Sequence, residues 1–193
     1  MPKTKQFDEV IVLEKARNVF WKKGYNGTSM DELVKATGLS RSSIYDSFGD
    51  KHGLYLRALQ QYQQQQKQLI VNSIPPNLSA RKKIGWIFQN SIKQLLEDRQ
   101  RKGCFMVNTT TELGNIDNAM NKIVNANFEA MEELFYTLVK EGQDAGDIKK
   151  TFKARALARN LFSSFNGLTI IGQTRPDKEV LEDIAKIALS VLD

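Results

Sequence analysis

The side chains best placed to do chemistry fall between positions 28 and 51: Thr28, Ser29, Ser40, Arg41, Ser42, Ser43, Tyr45 and Lys51. None of them is arranged for bond making. No Ser-His-Asp set, pair of catalytic carboxylates or Gly-rich phosphate loop stands out in the sequence. A structural zinc site needs about four Cys or His ligands, and the chain has one cysteine, Cys104, and one histidine, His52. The expectation is therefore no catalytic site, no metal and no cofactor. What the run does offer is short hydroxyls, a guanidinium fork and an ammonium. These suit hydrogen bonding to phosphates and base edges.

The elements carrying these residues read as two short helices across a tight turn. Ser29 and Glu32 fit a capping box, with Thr28 as an alternative cap. Met30, Leu33, Val34 and Ala36 supply one apolar face. Thr37-Gly38 ends this helix, because glycine takes the positive φ that other residues resist. Ser40 can cap the next helix, which holds Ile44, Tyr45 and Phe48 and closes at Gly49. That helix exposes Arg41, Ser42, Tyr45 and Asp46 at its N-terminal end, where a major-groove helix meets base edges. Ser40 and Ser43 can donate to phosphate, and Lys51 adds a cation at the start of a fourth helix.

Charge agrees with a polyanionic partner. The net charge is +6 and half of it lies in residues 1–60, with ten Lys/Arg against seven Asp/Glu. The N-terminal MPKTKQFDEV is polar and lacks the core of a signal peptide. No apolar run approaches the ~18 residues of a membrane span. A cytoplasmic protein with no membrane partner is expected.

Helical periodicity continues throughout and predicts an all-α chain of nine helices. The first spans 8–23, with Ile11, Val12, Ala16, Val19 and Phe20 on one face. The fourth runs through a glutamine-rich stretch to about residue 72, before the break at Pro75-Pro76. Later helices are predicted over 79–98, 104–113, 116–141, 153–172 and from Pro176 onward. The predicted organisation is a DNA-binding head over 1–53, with its helix-turn-helix at about 29–48. A helical body over 54–193 follows, and the fourth helix links the two.

At these residues the sequence resembles the tetracycline-repressor (TetR) family of bacterial regulators. The matching runs are A-x-x-x-F-x-x-x-G-Y at 16–25, T-S-M-D-E-L at 28–33, G-L-S-R-S-S-I-Y at 38–45 and F-G-D-K at 48–51. The resemblance is specific over residues 8–60, and beyond them a Gly-Cys-Phe-Met-Val-Asn-x-x-x-Glu-Leu-like stretch at 103–113 is seen in some members. It implies a three-helix head and a body that dimerises and often holds a small-molecule pocket, with repression relieved by ligand. By position it implies that Arg41, Ser42 and Tyr45 face bases, while Thr28, Ser43, Tyr45 and Lys51 meet phosphates. The sequence departs from some members at Asp31, an acid where they carry a base-reading cation.

In the body, Trp86, Cys104, Phe105, Asn108, Thr109, Glu112, Phe128, Met131 and Phe165 are the expected pocket residues for an effector whose identity is not legible. The last two helices carry apolar stripes including Leu157, Leu161, Phe165, Leu168, Leu181, Ile184 and Ala188. These stripes predict a homodimer on a palindromic operator, since one head reads few base pairs, with packing inside one chain as the alternative. Cys104 follows Gly103 near a helix start, beside Arg101 and Lys102. Those features favour a thiolate and an electrophile or redox sensor, against the buried small hydrophobe that a lone cysteine more often is. A helical interaction module and an enzyme built on Cys104 are the remote alternatives.

Overall fold

The computed structural model describes residues 7–193, so the start of the polar N-terminal run lies outside the described residues. Among these residues the regular structure is helical: α1 (Glu9–Lys23), α2 (Met30–Thr37), α3 (Arg41–Phe48), α4 (Lys51–Ser73), α5 (Ala80–Glu97), α6 (Phe105–Leu113), α7 (Asn118–Ala145), α8 (Ala154–Thr174) and α9 (Lys178–Ser190). None is long and apolar enough to cross a membrane. The chain divides into two compact units. One is the chain through Gln66 together with Asn108–Val124, and the other is Lys67–Val107 with Asn125–Asp193. The first unit thus extends past the expected limit at residue 53 and takes in part of α6 and the start of α7.

In the first unit, Asp8 caps α1 by accepting from the Val10 and Ile11 amides. Val12, Leu13, Ala16 and Phe20 face inward, whereas Ile11, expected on that face, is half exposed. Leu33 of α2, Ile44 and Phe48 of α3, and Leu54, Tyr55, Ala58 and Leu59 of α4 are buried in the same unit. Phe20 and Tyr25 both set their rings against Tyr55, with centroids 4.8 and 5.3 Å away. The Tyr55 hydroxyl bonds Thr109 Oγ1 at 2.8 Å. Burial raises the Tyr55 phenol well above its ordinary value.

In the second unit, Ile84, Ile87, Phe88 and Ile92 of α5 pack with Phe135, Leu138 and Val139 of α7 and with the inner faces of α8 and α9. The rings of Phe88, Phe135 and Phe165 meet at 5.6 to 6.1 Å. This packing corrects the expected dimer residues. Leu157, Leu161, Leu168, Leu181 and Ala188 lie in the core of a single chain, because α5, α7, α8 and α9 share one apolar centre and these positions face it. Phe165 and Ile184 are only partly covered. On these last two helices the large apolar residues left outward are Ile170 and Ile171 on α8 and Ile187 on α9, with Ile187 69% exposed.

α7 also runs past the expected stop at Gly142 and ends at Ala145. Gly142 serves packing rather than termination: a Cβ there would lie 2.5 Å from Ile148 Cδ1.

Candidate nucleic-acid interface

Two capping networks fix the helix pair that carries the candidate interface. Ser29 Oγ accepts from the Glu32 amide, and Glu32 Oε2 accepts in return from the Ser29 amide and hydroxyl, a complete capping box. Lys23 pairs with Glu32 as well. This set holds the Glu32 carboxyl at about 2, with Lys23 the largest cause and Ser29 next. Gly38 then turns the chain at φ +76°. Ser40 caps α3, accepting from the Ser43 amide at 3.1 Å, while its hydroxyl also meets those of Ser42 and Ser43 at 2.9 and 2.8 Å.

The N-terminal turns of α3 are left on the surface. Arg41, Ser42, Tyr45 and Asp46 are exposed, and Ile44 and Phe48 anchor the opposite face. Arg41 Nη2 donates to Asp31 Oδ1 at 2.7 Å across the turn. The surface offered therefore combines a guanidinium, hydroxyls and a phenol, with short side chains at 42 and 43 that allow close approach.

Not every expected contact residue points outward. Thr28 is buried and its hydroxyl donates to the Gly24 carbonyl. The Ser29 hydroxyl is engaged in the capping box. Lys51 donates to the carbonyls of Tyr25 and Thr28, both at 2.9 Å, and lies 4.3 Å from the Tyr25 ring centre. Thr28 and Lys51 secure the turn between α1 and α2, since its carbonyls need partners, while the exposed Ser29 caps α2. Burial, then Asp50 and Asp117, raise the Tyr25 phenol in the same cluster.

One residue whose role spacing could not reveal completes this turn. Glu112 of α6 accepts from the Tyr25 and Asn26 amides at 2.9 and 2.8 Å, though 87 and 86 residues distant in sequence. Gly24, at φ +75°, makes room for it, because a Cβ there would sit 2.8 Å from the carboxylate. His52 Nε2 bonds Asp117 Oδ2 at 2.6 Å, and Asp117 caps α7 through the Ala119 and Met120 amides. The Met120 amide is the first cause, ahead of His52, of the lowered Asp117 carboxyl.

The expected pocket residues are not gathered into one unit. Asn108, Thr109 and Glu112 belong to the first; Trp86, Cys104, Phe105, Phe128, Met131 and Phe165 belong to the second. Thr109 and Glu112 spend their polar atoms on Tyr55 and on the α1–α2 turn. Phe105 is buried, while Trp86, Met131 and Phe165 pack partly covered against the core of the second unit. Cys104 is half-buried immediately before α6. An open concavity in the second unit is lined instead by Tyr136, Lys140, Gln143, Phe152 and Arg155, among others. Among the described residues no cluster of His, Cys, Asp or Glu could hold a metal.

Residues 12–58 match the family described as bacterial regulatory proteins of the tetR family, and residues 80–188 match the tetracyclin repressor-like C-terminal domain. The chain is a TetR-family transcriptional regulator. Members of this family are DNA-binding regulators and not enzymes. The chain is 30% identical over 194 residues to the HTH-type regulator YezE of Bacillus subtilis (strain 168), with both chains fully covered. It is 23% identical to the repressor DhaR of Mycobacterium sp. (strain GP1), over 94% of this chain and 90% of that one. Its fold matches a cysteine-substituted form of the TetR-family regulator CifR in complex with a 26-base-pair operator duplex. That likeness has a TM-score of 0.85 at 24% identity and covers 99% and 100% of the two chains. The capped α2–α3 pair lies within the stretch, residues 12–58, that matches the family's N-terminal domain.

Proposed function

We propose that this TetR-family regulator is a homodimeric repressor that occupies a palindromic operator and is released when a small molecule binds. The observation that carries the reading is the exposed N-terminal turn of α3. Its polar groups point outward from a frame whose own caps are satisfied. In this reading Arg41, Ser42 and Tyr45 face bases, Ser40 and Ser43 meet phosphates, and Lys51 acts by holding the turn beneath them. Relatives such as DhaR are named repressors, and CifR is bound to operator DNA.

The dimer is formed by the outward face of α8 and α9, where Ile170, Ile171, Ile184 and Ile187 are at least partly exposed. Release follows from displacement of α6, which withdraws Glu112 from the Tyr25 and Asn26 amides. Cys104 precedes the same helix, so covalent modification of its thiol is a second route to that displacement. Alkylation of wild type and of Cys104→Ser, followed by operator binding, separates the two routes.

The test of the main reading is binding to duplex DNA followed by fluorescence anisotropy across a salt series. The wild type should select a palindrome, and its affinity should fall steeply with salt as phosphate contacts release counterions. Arg41→Ala and Tyr45→Ala should each cost about 1–3 kcal/mol on that duplex. Unchanged binding in both variants sinks the assignment of α3.

A further inference from the structure

Arg41 is the first residue of α3 and Asp31 lies in the first turn of α2. The Ser29 and Ser40 caps and the Gly38 turn fix the spacing of these two helix starts. Across it, Arg41 Nη2 sits 2.7 Å from Asp31 Oδ1. We propose that Asp31 is a specificity-determining positioning residue whose carboxylate holds the Arg41 guanidinium in the orientation that reads a guanine in the major groove. The inference rests on α3 being the DNA-reading helix.

The ion pair has little to do with folding. Both side chains are exposed, at 55% for Arg41 and 85% for Asp31, and such surface pairs stabilise weakly. An acid on the surface that meets a polyanion also opposes binding to any sequence. Its effect must therefore fall on how Arg41 binds. A free arginine side chain samples many rotamers and gives up that freedom on docking. Held on one side by Asp31, Arg41 gives up much less, and the rest of its planar fork stays available. That fork matches guanine, whose O6 and N7 are paired acceptors, and no other base presents the same pair. Tethering also keeps the guanidinium from swinging to a phosphate, a contact that carries no sequence information.

The experiment is selection from a randomised duplex pool with the full-length protein and its Asp31→Ala, Asp31→Asn and Arg41→Ala variants. Anisotropy titrations then use the selected duplex and a copy carrying 7-deazaguanine at the enriched position. The wild type should enrich one symmetry-related G·C pair per half-site, and Arg41→Ala should lose that preference. Asp31→Ala should still bind, with higher affinity for unselected duplex. Its discrimination between guanine and adenine at that pair should fall roughly five- to tenfold, within the worth of one bidentate contact. Asp31→Asn should fall between, and 7-deazaguanine should weaken the wild type far more than Asp31→Ala. Wild-type discrimination in Asp31→Ala overturns the proposal, as does a guanine preference that survives Arg41→Ala. Loss of a cytosine preference at a neighbouring pair, with the guanine preference intact, also overturns it, because Asp31 would then read a base itself. Enrichment of no sequence by the wild type removes the DNA-reading assignment and this inference with it.

Discussion

Replacing Glu112 tests whether α6 holds the DNA-binding head through main-chain amides. Its carboxylate accepts two amide hydrogen bonds, from Tyr25 and Asn26, at 2.9 and 2.8 Å. Bonds to a charged group are worth about 1.5–3 kcal/mol each when a buried partner is stranded. The bond to Asn26 is exposed, so water replaces much of it, whereas the bond to Tyr25 is partly covered. Glu112→Ala should therefore cost about 2 kcal/mol in all, and Glu112→Gln, which retains one acceptor, about 1 kcal/mol. For a chain of this length each kcal/mol lowers the melting temperature by roughly 2–4 °C. Thermal melts by far-ultraviolet circular dichroism should thus show a drop of about 4–8 °C for Glu112→Ala and about half of that for Glu112→Gln. A Glu112→Ala protein melting within about 1 °C of wild type would refute the reasoning, since that shift is worth well under 1 kcal/mol. Operator binding should weaken in the same order, because the turn held by Glu112 leads directly into α2.

Lys51→Met keeps most of the side chain's bulk but loses the two carbonyl contacts and the charge over Tyr25. It should lower both the melting temperature and the affinity for all duplexes, and weaker DNA binding without a lower melting temperature would return Lys51 to a pure phosphate contact. Glu32 gives a pH signature: its folded-state carboxyl lies at about 2 against an ordinary 4.5. A depressed carboxyl stabilises the fold fully above its unfolded value and loses that effect as pH falls from 4.5 toward 2. The melting-temperature gap between wild type and Glu32→Gln should close across that window, and a gap constant with pH contradicts the account of a Glu32 charge held by Lys23 and Ser29. Ile187→Asp should convert a particle of twice the 21.9 kDa chain mass to a folded monomer by light scattering. Leu161→Asp should unfold the chain instead, since Leu161 is fully buried. A dimeric Ile187→Asp protein would move the interface elsewhere.

The local features of the head were legible because their causes are local. The Ser29–Glu32 box, the Gly38 turn and the Ser40 cap each depend on residues within a few positions, and periodicity alone placed Leu33, Ile44 and Phe48 inside. The dimer face was misjudged for a physical reason. An apolar stripe shows which positions avoid water, but not whether a neighbour in the same chain or in another chain covers them. Leu161 and Ile187 look alike in sequence, yet the first is buried among α5, α7 and α9 and the second is open. The long helix predicted over 116–141 runs on to Ala145, and Gly142 within it admits the Ile148 side chain. Glu112 was expected in a pocket because a polar residue on an inward helix face needs a partner. Its partner proved to be the backbone of a turn far away in sequence, which no spacing encodes. Thr28 and Lys51 carry the residue types of phosphate contacts, but unmet carbonyls nearby claimed them first.

The serine cluster at the start of α3 has a consequence for how much information an operator must carry. In the Ser40–Ser42 and Ser40–Ser43 contacts either hydroxyl can be the donor. A rotation of these protons turns the surface at Ser42 from donor to acceptor at little cost, so it can satisfy opposite patterns on a base edge. Such a group tolerates sequence variation where a guanidinium cannot. Aligned binding sites should therefore show sharply uneven columns: a near-invariant base pair under Arg41 beside a nearly uninformative one under Ser42. A regulator built this way can hold a family of divergent promoters with one recognition helix, and mutational drift beneath the serines is silent.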